Sequence, residues 1–194
     1  MSRKDIILSG VGGQGILTIA TVIGYTALEN GMYLKQAEVH GMSQRGGDVQ
    51  SHLRISDKEI FSDLIPHGEA DIILSVEPME ALRYLPYLSD KGWMITNSKP
   101  YENIPNYPEL DNVLAEIKNL TNHIIIDADA IAKEIGSPRS MNIVMLGAAA
   151  PWLDLDIETM KKGIKTIFAR KGEKIVENNI KAFRAGLEFS KNKQ

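Results

Sequence analysis

The stretch ILSGVGGQGILTIATVIG, residues 7–24, carries an apolar run into four glycines and out again into a helix-like sequence. Residues 4–10 form a short apolar run ending in glycine, the pattern of a buried strand. From Gly15 onward Ile16, Ile19, Ile23 and Ala27 recur at helical spacing, and Asn30-Gly31 supplies the stop. A strand that passes into a helix through glycine is the opening unit of an α/β fold. Gly10-Val11-Gly12-Gly13-Gln14-Gly15 also satisfies G-x-G-x-x-G, the string that in dinucleotide-binding folds seats a pyrophosphate on a helix N-terminus. Three readings are open here: a bound ligand, a close contact with another subunit, or a tight crossover with no ligand. The dinucleotide reading expects an acid about 20 residues on, at the end of the second strand, to meet the ribose. Glu38 stands close to that place but somewhat late. No Lys-Ser/Thr follows the glycines, so the string is not a phosphate-and-magnesium loop.

Outward from this unit, strands and helices alternate. Residues 32–39 read as a second strand and 40–49 as a polar, glycine-containing loop. Residues 49–56 alternate apolar and polar, as in a half-exposed strand, and 59–62 are expected to pair back on it as a hairpin across Asp57-Lys58. Residues 70–78 are the clearest buried strand, with Pro78 opening a helix through Leu85. A strand over 92–98, an excursion with three prolines over 99–108, a helix over 109–120, a strand over 123–128 and a short helix over 129–135 follow. Residues 140–153 read as an apolar, small-residue helix, and Asp156 caps a helix to about Arg170. A last helix spans about Glu173 to Ser190. Apolar strands alternating with helices indicate a mostly parallel sheet covered on both faces. The expected fold is therefore α/β: a three-layer, Rossmann-like sheet with an added antiparallel hairpin. It forms a single domain over residues 1–190, with residues 191–194 as a frayed tail.

Composition narrows the function. The net charge is −3, which gives no support to nucleic-acid binding. The charge is uneven, however: residues 1–157 hold 12 basic and 21 acidic side chains, residues 158–194 hold 10 and 4. That surplus is either a pair of solvated helices or a basic surface meeting an acidic partner. There is no run of about 18 apolar residues to span a membrane. The N-terminal residues have no signal-like apolar segment, so a cytoplasmic location is expected. With no cysteine, the chain can form no disulfide and can ligate no iron–sulfur cluster through thiolates. Its four histidines show no metal-ligand spacing.

A second constellation, EVHGMSQRGGDVQSHLRIS (residues 38–56), places His40, Ser43, Gln44, Arg45 and Gly46 on a loop leading into a strand. Arg45 offers a planar fork of donors to a carboxylate or phosphate, and Gly46-Gly47 permits close backbone approach. In an open α/β sheet, loops at the carboxyl ends of neighbouring strands share one crevice. Gln14 and Arg45 can therefore act together, although His40 can equally cap a strand end and Arg45 can equally be a surface ion pair. Glu77-Pro78, at another strand end, is a further crevice position. Asp127 and Asp129 suit a helix cap, Glu69 and Asp71 suit solvent, and Met141, Met145 and Met160 suit core filling. Gly147-Ala148-Ala149-Ala150 allows close helix packing, within the fold or between subunits.

These two segments resemble the gamma-type domain of the 2-oxoacid:ferredoxin oxidoreductases, and the His-Gly-Met-Ser-Gln-Arg-Gly-Gly version is most similar to the beta subunit of the indolepyruvate type. The resemblance runs through EADIILSVEPMEALRYLPYLSDKGWMITNS to NIVMLGAAA. It implies an enzyme complex that oxidatively decarboxylates a 2-oxoacid, captures the acyl group on coenzyme A and passes electrons to ferredoxin. Thiamine diphosphate and iron–sulfur clusters would sit on a large alpha-type partner subunit, and none would be bound by this chain alone. The absence of cysteine fits that division. The resemblance places Gly12, Gly13, Gln14 and Gly15 on one wall beside the partner's active site, and His40, Ser43, Gln44, Arg45 and Gly46 on the other. It assigns no catalytic residue and no metal to this chain. It also leaves room for a homo-oligomer when the chain is isolated. The competing reading is a free-standing Rossmann-type protein that binds NAD(P) or another nucleotide.

Overall fold

Strand β1 (Arg3–Val11) is buried from Asp5 to Val11 because both its faces are covered, as its unbroken apolar run requires. The computed structural model describes residues 3–40, 46–102 and 104–193, with the side chain of His40 left aside. After β1 come α1 (Ile16–Glu29), β2 (Tyr33–His40), β3 (Asp48–Ser56), β4 (Ala70–Ser75), α2 (Pro78–Arg83) and β5 (Leu88–Asn97). The chain continues with α3 (Leu110–Lys118), β6 (His123–Ile126), α4 (Ala128–Glu134), α5 (Met141–Ala149), α6 (Ile157–Phe168) and α7 (Glu173–Lys191). The six described strands form one sheet in the order β2-β3-β1-β4-β5-β6. The β1–β4, β4–β5 and β5–β6 pairs are parallel.

The antiparallel addition differs from expectation. Residues 59–62 form no strand; β3 instead pairs antiparallel with β1 along its whole length and with β2 on its other side. The hairpin is thus β2–β3, and β3 is an interior strand. Its polar residues face a covering segment. Arg54 donates to both carboxylate oxygens of Asp5 (2.9 and 3.1 Å) and to the carbonyls of Ser62 and Leu64. His52 Nδ1 accepts the Ile65 N–H at 3.0 Å. Burial, first of all, lowers the His52 pKa from its ordinary value. The Arg54 donors and the His52 acceptor hold residues 62–65, and the ladder expected over 59–62 does not form.

One face of the sheet is covered by α1, α4, α5, α6 and α7, around a core that includes Ile6, Leu8, Ile23, Ile72 and Met160. The other carries α2 and α3, over Ile7, Ile73, Met94 and Ile117. Helix α5, buried from Asn142 to Ala149, is shorter than the apolar run 140–153 suggests; a 3-10 turn at Ala150–Trp152 takes over around Pro151. It lies close under α7: a Cβ on Gly147 would fall 2.1 Å from the Phe183 carbonyl oxygen, and one on Gly186 1.9 Å from that of Val144. The small residues therefore serve a packing contact inside the chain. Met145 and Met160 are fully buried, and Met141 packs against the same core. Asp156 caps α6 and Asp127 caps α4, each accepting a backbone N–H three residues on. Asp129 instead accepts from Asn97. Asp71 is half-buried and accepts the Asp5 N–H, while Glu69 stays exposed beside Arg3.

Candidate functional site

The carboxyl end of β1 is where the two glycine segments meet. Because β3 runs antiparallel, its first residue, Asp48, lies opposite Val11. Just beyond, the Gly12 N–H donates to the Gly47 carbonyl at 2.8 Å, and the Gly46 N–H to the Gly12 carbonyl at 3.4 Å. The loops come together through this antiparallel junction and not, as expected, as neighbours in a parallel sheet. His40 closes β2 in register with Val49. Ser43, Gln44 and Arg45 lie outside the described residues.

The glycines answer to different demands. A Cβ on Gly10 would fall 2.3 Å from Val76 Cγ2, so the end of β4 packs directly on it. Gly15, at φ 83°, caps α1 from the left-handed region, and a Cβ there would lie 2.5 Å from Asn142 Nδ2. That amide donates to the Gly15 carbonyl at 3.0 Å and ties the start of α5 to the start of α1. Gln14 turns back on its own turn: Oε1 accepts the Val11 N–H at 2.7 Å, and Nε2 reaches the Val76 carbonyl at 3.5 Å. Gly13 is exposed and at φ 101°, and a Cβ on it would meet nothing within 4 Å.

This is not a dinucleotide cradle. In the doubly wound fold the second strand lies parallel beside the first and brings its terminal acid to the ribose. Here β3 separates β1 from β2, so Glu38 sits two strands away, roughly 10 Å by strand spacing. Both the N–H and the carbonyl of Gly12 are bonded, to Gly47 and Gly46.

Beside the turn is a cleft of about 310 Å³ lined by Gly13, Gln14, Asn142 and Asn179, with Arg139 and Lys171 at its rim. Among the described residues no acidic side chain lines it. Neither cation was singled out from sequence, although Lys171 belongs to the basic surplus of residues 158–194. On the opposite face, Glu77 at the end of β4 is 1% exposed and caps α2. Near it, Glu80 pairs with Arg83 at 2.8 Å, and the Tyr84 hydroxyl reaches Asp48 at 3.5 Å. Burial is the largest cause raising the pKa of Glu80, against the pull of Arg83. Burial likewise raises Tyr84, and it raises Tyr107 together with the bond that tyrosine makes to Glu77.

Among the described residues no group of three or more His, Asp or Glu side chains could hold a metal, and the chain has no thiolate. The donor set does not fit an iron–sulfur cluster. No helix among the described residues is long and apolar enough to cross a membrane.

The family model for pyruvate ferredoxin/flavodoxin oxidoreductase matches residues 5–189. The chain belongs to this family. Its similarity to the indolepyruvate oxidoreductase subunit IorB of Pyrococcus horikoshii is 37% identity, covering 98% of each chain. To the pyruvate/ketoisovalerate oxidoreductases common subunit gamma of Pyrococcus furiosus it is 29% identical over 95% of each. The keto/oxoacid ferredoxin oxidoreductase gamma subunit of Geobacter sulfurreducens superposes with a TM-score of 0.69 at 27% identity, over 97% of this chain and 99% of that one. The fold also matches the 2-oxoglutarate:ferredoxin oxidoreductase of Magnetococcus marinus (TM-score 0.81, 21% identity), solved with 2-oxoglutarate, coenzyme A and succinyl-CoA bound. There the match covers 99% of this chain but 32% of that one, so the chain spans about a third of that protein. The chain is a small subunit of a 2-oxoacid:ferredoxin oxidoreductase, an enzyme of several subunits, and its kinship with IorB proteins covers its full length.

Proposed function

We propose that this oxidoreductase family member serves an indolepyruvate- or arylpyruvate-specific enzyme, in which it completes the active site of a large subunit. The large subunit carries thiamine diphosphate and iron–sulfur clusters. The assembled enzyme decarboxylates the 2-oxoacid oxidatively, transfers the acyl group to coenzyme A and passes two electrons to ferredoxin. The observation that carries this reading is the backbone junction of Gly12 with Gly46 and Gly47. It unites both glycine segments at one end of the sheet, beyond the carboxyl end of β1, and leaves Gly13 facing outward. Gly12, Gly13, Gln14 and Gly15 form one wall of the partner-facing surface. His40, Ser43, Gln44, Arg45 and Gly46 form the other. The hard chemistry belongs to cofactors on the partner; this chain supplies positioning and electrostatics. The full-length identity with IorB proteins supports the aryl substrate class, and the lack of thiolates supports the division of labour.

An anaerobic pull-down of the tagged chain from its source cells tests this. The eluate should contain a large second chain, iron, thiamine diphosphate and indolepyruvate-dependent viologen reduction, with the isolated chain inactive. A chain that elutes alone and binds NAD at micromolar concentration would overturn the reading. Within it, Arg45 meets a substrate carboxylate or an acidic group of the partner. Arg45→Ala should therefore weaken turnover or assembly, and an unchanged result in both removes Arg45 from the site.

A further inference from the structure

Glu77 has more acceptor capacity than its cap requires. A helix N-cap needs one side-chain oxygen, and Ser, Thr or Asn would supply it. A carboxylate at 1% exposure is costly to bury unless several donors satisfy it. Here Oε2 accepts the Glu80 N–H at 2.8 Å and performs the capping. Oε1 faces the other way, into the excursion between β5 and α3. It accepts the Tyr101 N–H at 3.2 Å from the first arm and the Tyr107 hydroxyl from the second. One buried oxygen thus clasps both arms of a segment whose described residues form no helix or strand. The arms carry Tyr101 and Ile104, 44% and 39% exposed, beyond the same carboxyl end of the parallel strands as the glycine turn. The two places are physically continuous: the carbonyl of Val76, one residue before Glu77, receives both Gln14 Nε2 and Asn97 Nδ2.

We propose that Glu77 is a positioning residue whose Oε1 clasps the excursion, so that Tyr101 and Ile104 meet the large subunit as a preset ridge beside the glycine turn. The partner half of this rests on the function proposed above. A ridge fixed before binding spares the ordering cost that a loose loop would add to association. The clasp therefore acts on assembly and not on the chemical step.

The test uses the full chain and the large subunit. Tyr107→Phe removes one donor while leaving the α2 cap intact, and Glu77→Gln removes acceptor capacity as a second variant. Hydrogen exchange of the backbone amides in 99–109 should rise about tenfold in Tyr107→Phe, the loss of one bond to a charged acceptor. The Glu80 amide should be unaffected. In titrations of the small chain against the large subunit, the half-saturating concentration should rise by a similar factor, with kcat at saturation unchanged. Unchanged exchange overturns the clasp. Faster exchange with an unshifted half-saturation overturns the docking role and leaves a plain structural bond. A wild-type chain that never activates the large subunit refutes the proposed function and the docking role with it, while exchange still decides the clasp.

Discussion

Gly13 and Gly15 sit two residues apart in one turn, both at left-handed φ (101° and 83°), yet their surroundings differ. Alanine at either position meets backbone strain of about 1–2 kcal/mol. At Gly13 nothing lies within 4 Å of the new methyl. At Gly15 the methyl would sit 2.5 Å from Asn142 Nδ2 and 3.0 Å from its Cγ. Asn142 is 8% exposed and has little room to retreat. Displacing it also breaks its bond to the Gly15 carbonyl, about another 1 kcal/mol. Gly15→Ala should therefore cost about 2–4 kcal/mol and Gly13→Ala about 1–2. Urea denaturation of each variant reads the difference, provided m is unchanged. Equal losses, or a larger loss at Gly13, would refute the assignment of Gly15 to packing and Gly13 to open surface. Assembly should reverse the order. On the proposed assembly a methyl on Gly13 projects toward the partner, and overpacking a close interface costs about 1–3 kcal/mol, roughly tenfold in affinity. Folded Gly15→Ala, whose methyl is aimed at Asn142, should lose less affinity than Gly13→Ala. If Gly13→Ala binds equally well, Gly13 touches nothing in the complex.

Other expectations are separately testable. Arg54→Met strands the Asp5 carboxylate, 0% exposed, with only the half-exposed Arg3 for company, and should cost about 3–5 kcal/mol in urea melts. Adding Asp5→Leu should recover most of that loss, because the buried charge goes too. Gly186→Ala must push α7 off the Val144 carbonyl and should lower stability by about 2–3 kcal/mol despite the better helix propensity of alanine. The His52 pKa is held below its ordinary 6.5, so the unfolded chain binds this proton more readily than the folded one. Its contribution to stability is fully present above that ordinary value. It is lost as pH falls from there toward the lower folded pKa. Denaturation midpoints of wild type and His52→Gln from pH 8 to 5 should therefore differ in slope below about pH 6.5, and parallel curves would refute this.

Local demands were legible in the sequence and distant pairings were not. The α1 stripe, the Asp156 cap and the glycine turn follow from spacing within a few residues. The alternation of residues 49–56 reads as a strand with one wet face, because the pattern cannot show that Arg54 finds Asp5 forty-nine positions away. Both faces of β3 are covered, and its polar residues are satisfied inside the molecule. The expected hairpin partner, residues 59–62, fails for the same reason: Arg54 takes the carbonyls of Ser62 and Leu64 that a ladder would have needed. Arg139, just before α5, and Lys171, just after α6, come to one cleft only because α5 and α6 both pack against α1, which no window of sequence reports.

The G-x-G-x-x-G string shows why a motif of this kind underdetermines its ligand. Glycine is selected wherever backbone must turn left-handed or lie against something without a Cβ between them. A pyrophosphate imposes that condition, and so does another part of the same chain. Here Gly10 meets Val76, Gly12 meets Gly46 and Gly47, and Gly15 meets Asn142. Gly10 and Gly15 are accounted for by close approaches within the molecule, whereas the Gly12 contacts are backbone hydrogen bonds that any residue could make. Gly13, at φ 101°, is required by the turn itself, and a Cβ there would point into open space. A backbone kept bare at the surface, beside a cleft rimmed by two cations, suits an approach from outside by something large. In a nucleotide site the second glycine, here Gly12, is the one kept clear for the pyrophosphate, whereas here its N–H and carbonyl are bonded to Gly47 and Gly46.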